Sequence, residues 1–180
     1  MKNALKIQIL AAVVATFSIA ACNKTIDGAK MHVRMTDAPA IFQQVNVDVR
    51  QVSIHYTDST TASGGWVNLN TNAGIYDLLT LQNDVTATIA GDSLLPLGQV
   101  DQMRLLLGDS NYVMVDSVLV PLKVPSGSQT GIKFNLNTEL KTNADVDVVV
   151  DFDAGKSIVI QGNGSYLLKP VIKVKSVVEH

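Results

Sequence analysis

Cysteine is almost absent from this sequence, since Cys22 is the only one in 180 residues. A chain with one thiol forms no internal disulfide, so packing must stabilise its folded part. The sequence also lacks a basic excess: 14 basic residues stand against 16 acidic ones, and aromatic residues make up 5% of the chain. Nucleic-acid binding needs a basic surface, so no nucleic-acid partner is expected.

Long apolar runs are equally scarce. Residues 7–21 form a run of 15 residues, which as a helix spans about 22 Å, less than the roughly 30 Å of a bilayer core. No later stretch approaches that length. The sequence therefore predicts no membrane-spanning helix, and any attachment to a membrane must come from another source.

The short apolar run has the layout of a bacterial lipoprotein signal. Lys2 and Lys6 precede it, and small residues lead into the cysteine in Ile19-Ala20-Ala21-Cys22. We expect residues 1–21 to be a signal peptide, Cys22 to carry lipid and residues 22–30 to be a tether. The alternatives are an ordinary secretory signal or a short N-terminal anchor. The residue after Cys22 is not acidic, which favours the outer membrane over the inner membrane of the cell envelope.

Alternation of apolar and polar residues indicates strands in most of residues 31–178. Met31, Val33 and Met35 alternate with polar residues, and the apolar phase slips by one near Arg50 and Gln51, which predicts a β-bulge. About nine short strands separated by turn residues predict a single all-β domain. We expect an antiparallel Greek-key β-sandwich, with a partly open β-barrel as the alternative and a short helix within residues 75–84.

Eight short motifs follow one another through the proposed domain: MTDAP at 35–39, GW at 65–66, YDLL at 76–79, RLLLG at 104–108, LKVPSG at 122–127, VDFDA at 150–154, KS at 156–157 and LKPVI at 168–172. Together they resemble the family called domain of unknown function 4382, exported proteins of which many are lipoproteins. The resemblance implies one domain and no particular activity. It leaves Asp37, Asp109, Asp151 and Asp153 as motif acids of unknown role. The pattern also resembles carbohydrate-binding-like and prealbumin-like sandwiches, in architecture alone.

Acidic residues mark one face of a predicted strand: Asp145, Asp147, Asp151 and Asp153. Such a stripe is suited either to calcium or acid–base chemistry, or to ion pairs with a neighbouring basic strand. The last predicted strand carries Lys169, Lys173 and Lys175, so we expect the two strands to be antiparallel neighbours joined by a ladder of charges, or to be separated by at most the one strand at residues 157–161. The three histidines are scattered, and the sequence predicts neither a metal site nor a cofactor.

Trp66 is the residue best suited to binding, because an indole ring can stack on the C–H face of a sugar. The competing interpretation is a core tryptophan. Tyr56 and Tyr112 would complete an aromatic platform if the three converge. We therefore expect a non-catalytic binding module, with a glycan or a surface protein as partner. The alternatives are a structural subunit of a surface assembly and, less favoured, an enzyme built on Asp37, Asp109 and Asp151.

Overall fold

The computed structural model describes residues 28–59, 61–125 and 130–180. Cys22, the expected signal peptide and residues 22–27 of the expected tether lie outside the described residues. The first strand begins at Ala29, so Ala29 and Lys30 belong to the folded domain instead of the tether. Both residues already follow the alternation of the strand, because Ala29 is buried and Lys30 is exposed.

The described residues form thirteen strands: β1 (Ala29–Thr36), β2 (Val45–Asp58), β3 (Gly64–Asn68), β4 (Gly74–Asp77), β5 (Ala87–Leu95), β6 (Gly98–Leu107), β7 (Tyr112–Val115), β8 (Val118–Pro121), β9 (Ile132–Leu140), β10 (Asp145–Phe152), β11 (Ile158–Ile160), β12 (Tyr166–Leu168) and β13 (Ile172–Glu179). A 3-10 helix covers Leu78–Leu81, and a one-turn α-helix, α1, covers Ala154–Ser157.

Two main sheets contain most of these strands. The smaller sheet has the order β13-β10-β1-β5. The larger has the order β8-β7-β2-β6-β9, and β3 and β4 also pair with β2. A separate hairpin joins β11 and β12. The named strand pairs are antiparallel except for β1 with β10, which is parallel. The all-β sandwich is therefore confirmed, since the described strands form separate sheets and no closed barrel.

One core lies between the main sheets. Val33 of β1, Val148 of β10 and Ile54 of β2 are among its fully buried members. Fully burying a side chain of this size is worth about 1.5–3 kcal/mol. The alternation of apolar and polar residues in β1, β2 and β10 thus fixes which face of each strand points inward.

The predicted β-bulge is confirmed in β2. Val49 pairs with Leu107 and Gln51 with Leu106, so Arg50 is the extra residue. Arg50 and Gln51 both avoid the core while Val49 and Val52 are buried. The bulge lets one long strand keep an apolar inner face on both sides of a change in phase.

The segment predicted to contain a short helix is mixed. Ile75 and Tyr76 pair with β2, and only the next turn is helical, as a 3-10 helix. The Asp77 carboxylate caps that turn by accepting from the Leu79 amide at 3.1 Å. The sequence analysis did not predict β5, because small and polar residues weaken its alternation of apolar and polar positions.

Candidate functional site

The outer face of the larger sheet gathers aromatic, cationic and amide side chains around Trp66. Cross-strand register places two rows there: Trp66, His55, Gln102 and Asn135 in one, and Asn68, Ser53, Arg104 and Lys133 in the other. We call these eight residues, with Asp101, the Trp66 face. They come from four neighbouring strands, β3, β2, β6 and β9, which hold them on a rigid surface.

Two bulges make this face. Arg50 shifts the phase of β2, so that Ser53 and His55 lie opposite the core-facing Val52 and Ile54. Asp101 is the extra residue of β6, because His55 pairs with Gln102 while Tyr56 pairs with Val100. Val100 and Met103 are buried and the two residues between them are not. The second bulge therefore keeps both Asp101 and Gln102 out of the core.

The Trp66 ring is surrounded by basic groups. The Arg104 guanidinium carbon lies 4.4 Å from the ring centroid and Lys133 Nζ lies 5.2 Å from it. The His55 ring meets it edge-on, with centroids 5.3 Å apart at 68°. Trp66 is half-buried and lies outside the core cluster. Trp66 is thus a residue of the sheet surface instead of a core tryptophan, and two cations lie over its ring.

Hydrogen bonds fix some of the polar groups of the face. His55 Nδ1 lies 2.9 Å from Asp101 Oδ1, and Ser53 Oγ donates to Asn68 Oδ1 at 2.8 Å. Arg104 reaches Ser53 Oγ only at 3.5 Å. The surface therefore offers preset donors and acceptors next to an aromatic ring, an arrangement suited to binding a polar, ring-containing molecule.

The three aromatic residues do not converge. Tyr56 packs against the core, on the opposite side of β2 from His55. Tyr112 pairs with Asn46, whereas Trp66 pairs with His55. At about 3.3 Å per residue, the strand between Asn46 and His55 separates them by roughly 30 Å. The prediction that Trp66, Tyr56 and Tyr112 form one platform is therefore wrong. The bulge in β2 turns Tyr56 toward the core, and the length of the strand separates Tyr112 from Trp66.

The motif acids behave differently from one another. Asp37, Asp151 and Asp153 are buried and lie close enough to interact electrostatically, at the ends of β1 and β10. Asp109 is exposed in the turn between β6 and β7, on the larger sheet. The set of Asp37, Asp109 and Asp151 that an enzyme would need is therefore not assembled.

Each buried acid has a structural partner. Asp37 Oδ1 accepts from the Ala154 amide at 2.8 Å, and Asp153 Oδ1 caps α1 by accepting from the Lys156 amide at 3.0 Å. Lys173 Nζ lies 3.1 Å from Asp151 Oδ2, while Asp151 Oδ1 is buried without a hydrogen bond. The cluster joins the end of β1 to α1 and β13, which explains its burial without a catalytic role.

The pKa values of two of these carboxyls shift in opposite directions, although burial acts on both in the same way. Desolvation raises the pKa of Asp37 above 3.8, despite the hydrogen bonds from Ala154 and Gln82, and the charges of Asp151 and Asp153 raise it further. Desolvation would also raise the pKa of Asp153, but hydrogen bonds from the Lys156 side chain and amide outweigh it and hold that pKa below 3.8. Asp37 is thus the carboxyl most easily kept protonated.

The predicted ladder of charges between β10 and β13 is confirmed only at one rung. The two strands are antiparallel neighbours, with Asp151 opposite Lys173. Asp147 instead pairs with Arg34 of β1 at 3.2 Å, and Lys175 pairs with Asp84. The ladder fails elsewhere for two reasons. Strand β1 lies on the other side of β10 and supplies basic groups that compete for its acids. A bulge in β13 also shifts the register of that strand between Val174 and Ser176.

Within residues 28–59, 61–125 and 130–180, no group of three His, Cys, Asp or Glu residues is arranged to hold a metal ion. In the same ranges, no helix is long and apolar enough to cross a membrane.

Two clefts lie away from both clusters. One, of about 400 Å³, is lined by Gly28, Lys30, Leu94 and Asp145 near the start of β1. The other, of about 220 Å³, is lined by Phe42, Met114, Ile160 and Tyr166. Neither contains a convergent set of hydrogen-bonding side chains comparable with the Trp66 face.

Sequence reasoning missed Arg104, Lys133, His55 and Asp101 as members of a site. Alternation within β6 and β9 marks Arg104 and Lys133 as outward-facing, since Met103 and Leu105 are buried beside Arg104. Only the strand register shows that they meet over Trp66.

Comparison with known proteins gives a family and no activity. No curated protein and no solved structure matched the chain. One family model, described as Domain of unknown function (DUF4382), matches residues 28–170, a range that takes in the Trp66 face and the buried acids. That range is most of the chain, and the protein belongs to the DUF4382 family.

Proposed function

We propose that this protein is a non-catalytic binding module of the cell envelope, attached to a membrane by lipid on Cys22, and that the Trp66 face binds carbohydrate. The observation that carries the proposal is the position of Trp66: half-buried on an open sheet face, outside the core, and next to polar side chains from four strands.

The chemistry of the face suits a sugar. Apolar ring edges and C–H groups pack on an aromatic side chain, while hydroxyl groups need both donors and acceptors. Asn68, Gln102 and Asn135 each offer an amide group with both, in register with Trp66 or Arg104. Because these residues are on paired strands, their backbone is already ordered and loses little conformational entropy when a ligand binds.

The buried acids favour binding over catalysis. A pair of catalytic carboxyls must reach a substrate. Asp37 and Asp153 instead accept hydrogen bonds from backbone amides, and Asp151 forms an ion pair with Lys173. Their positions are accounted for by the joint that they form between β1, α1 and β13.

The test is a glycan array followed by calorimetry on the full-length protein in mild detergent. Trp66→Ala should weaken binding at least about tenfold, since one stacked ring commonly contributes about 1–3 kcal/mol. Tyr112→Ala is the matched control, because Tyr112 is an outward-facing aromatic residue at the far end of the same sheet. Equal binding by the wild type and Trp66→Ala, with unchanged circular dichroism, would refute the proposal.

A structural subunit of a surface assembly is the second candidate, and the position of β13 favours it. β13 is an edge strand of the smaller sheet, pairs with β10 alone and is mostly exposed. Edge strands are the elements that neighbouring copies exchange or extend.

Cysteines at the register partners Val149 and Ser176 distinguish the two candidates. A strand kept within its own molecule gives an internal disulfide and a monomer on a non-reducing gel. Strand exchange gives covalent oligomers that disappear on reduction, and their absence in membrane preparations would count against an assembly.

A further inference from the structure

The two cations on the Trp66 face lack a carboxylate partner. Among the described residues, several basic side chains elsewhere form ion pairs, such as Arg34 with Asp147, Arg50 with Asp48, Lys141 with Glu179 and Lys156 with Asp153, while Lys30, Lys123 and Lys169 form none. In the same part of the chain, Arg104 and Lys133 form none, and the nearest acid of the face, Asp101, is hydrogen-bonded to His55.

Arg104 and Lys133 also face each other directly. They are register partners across β6 and β9, and both lie over the Trp66 ring. Like charges placed directly opposite each other destabilise a sheet, and contact of both cations with the aromatic ring opposes that repulsion. A sheet face that keeps this pair gains stability when an anion lies between the two cations.

The geometry leaves donors for that anion. A guanidinium over an aromatic ring uses its face for the ring and retains N–H donors at its edge, which match the two oxygens of a carboxylate. Arg104 has only a long contact with Ser53, at 3.5 Å. Gln102 and Asn135, in the adjacent row, remain available for hydroxyl groups.

We infer that the carbohydrate taken by the Trp66 face is acidic: a uronate-containing polysaccharide whose carboxylate binds between Arg104 and Lys133 while the sugar ring lies along Trp66 and the amides. This inference rests on the proposed function of the same face. It adds the charge of the ligand and assigns that charge to two residues.

The experiment compares each of three uronate polymers, polygalacturonate, alginate and hyaluronan, with its carboxyl-reduced counterpart. The full-length protein in mild detergent is titrated calorimetrically at low salt and at physiological salt. We expect at least one polymer to bind at least about tenfold more tightly than its reduced form, because charge-assisted hydrogen bonds are lost on reduction. That binding should weaken as salt rises. A sulfated neutral polymer tests whether any anion suffices, and equal binding of it would overturn the carboxylate assignment.

Arg104→Gln and Lys133→Gln should each weaken binding of the acidic polymer about tenfold and reduce its salt dependence. Lys141→Gln is the control, since Lys141 is an exposed lysine paired with Glu179 away from this face. Selective binding of a neutral glycan, lost in Trp66→Ala and unchanged in Arg104→Gln and Lys133→Gln, would overturn this inference and leave the proposed function standing. Failure of acidic and neutral glycans alike to bind would overturn both.

Discussion

Asp151 on β10 lies directly opposite Lys173 on β13, and Lys173 Nζ is 3.1 Å from Asp151 Oδ2. The two ends of this pair differ in environment, because the lysine side chain is 66% exposed and the aspartate side chain 9%. A mostly buried carboxylate thus depends on a mostly exposed lysine for its charge partner.

Lys173→Ala should therefore be costlier than an ordinary surface substitution. It leaves Asp151 buried with one oxygen already lacking a hydrogen bond, and we expect a loss of about 1–3 kcal/mol in the free energy of unfolding. Urea denaturation at pH 7 measures it. Lys175→Ala is the control and should stay close to the wild type, since its partner Asp84 is fully exposed. Equal effects of the two substitutions would contradict the argument.

Asp37→Asn should become more stabilising as pH rises. Burial raises the pKa of Asp37 in the folded state above 3.8, so folding favours the protonated form and the wild type loses stability as pH rises through the folded-state pKa. The asparagine has no charge and keeps an oxygen for the Ala154 amide. Denaturation curves from pH 3 to pH 8 should show the two proteins converging at acid pH and separating at neutral pH.

Asp37→Ala is the matched control for that experiment. It removes the charge but also leaves the buried Ala154 amide without its acceptor, which should cost about 1–3 kcal/mol at acid pH. A stability difference between the wild type and Asp37→Asn that does not vary with pH would show that Asp37 titrates alike in the folded and unfolded states.

Val148→Thr should cost about 1–3 kcal/mol, because it places a hydroxyl group in the core, where Val148 is fully buried. Val149→Thr is the matched control on the other face of β10 and should be nearly neutral. Val148→Asp should prevent folding. Thermal unfolding followed by circular dichroism ranks the three, and a stable Val148→Asp would mean that this face of β10 is not core.

Melting of the purified protein should be unchanged by EDTA or by millimolar calcium. A bound ion stabilises a fold by about 2.7 kcal/mol at one hundred times its dissociation constant, which calorimetry detects readily. A calcium-dependent rise in melting temperature that disappears in both Asp151→Asn and Asp153→Asn would make the buried acids a metal site.

Lipid attachment at Cys22 is a prediction from the sequence alone. Cells given a clickable fatty acid should label the wild type and not Cys22→Ser, because the thiol is the acceptor. Labelling of a neutral surface variant such as Lys141→Gln controls for expression. Equal labelling of the wild type and Cys22→Ser would show that the attachment site is wrong.

Much of the fold was predictable because the alternation of apolar and polar residues within a strand shows which of its faces is buried. Alternation of apolar with polar residues predicted β1, β2 and β10, and the slip in that alternation within β2 placed the bulge at Arg50. β5 was not predicted because small and polar residues interrupt the alternation within Ala87–Leu95. The 3-10 helix was limited to one turn because pairing with β2 held Ile75 and Tyr76 extended.

The parallel pairing of β1 with β10 joins residues more than a hundred positions apart and leaves no local signature. Because of that pairing, Asp147 forms an ion pair with Arg34 of β1 and not with a lysine of β13, so the expected ladder of charges is incomplete. It also brought Asp37 beside Asp151, a neighbour that the motif around Asp37 does not reveal.

The sequence by itself determined the all-β class, the inward faces of the main strands, the neighbouring of β10 and β13, and the family. These follow from side-chain periodicity and from short motifs, which are properties of contiguous residues. Only the tertiary structure decided that Trp66 meets Arg104 and Lys133 rather than Tyr56 and Tyr112, and that three of the motif acids are buried together without Asp109. Register between distant strands sets such meetings, because it depends on how all the strands fit around one core.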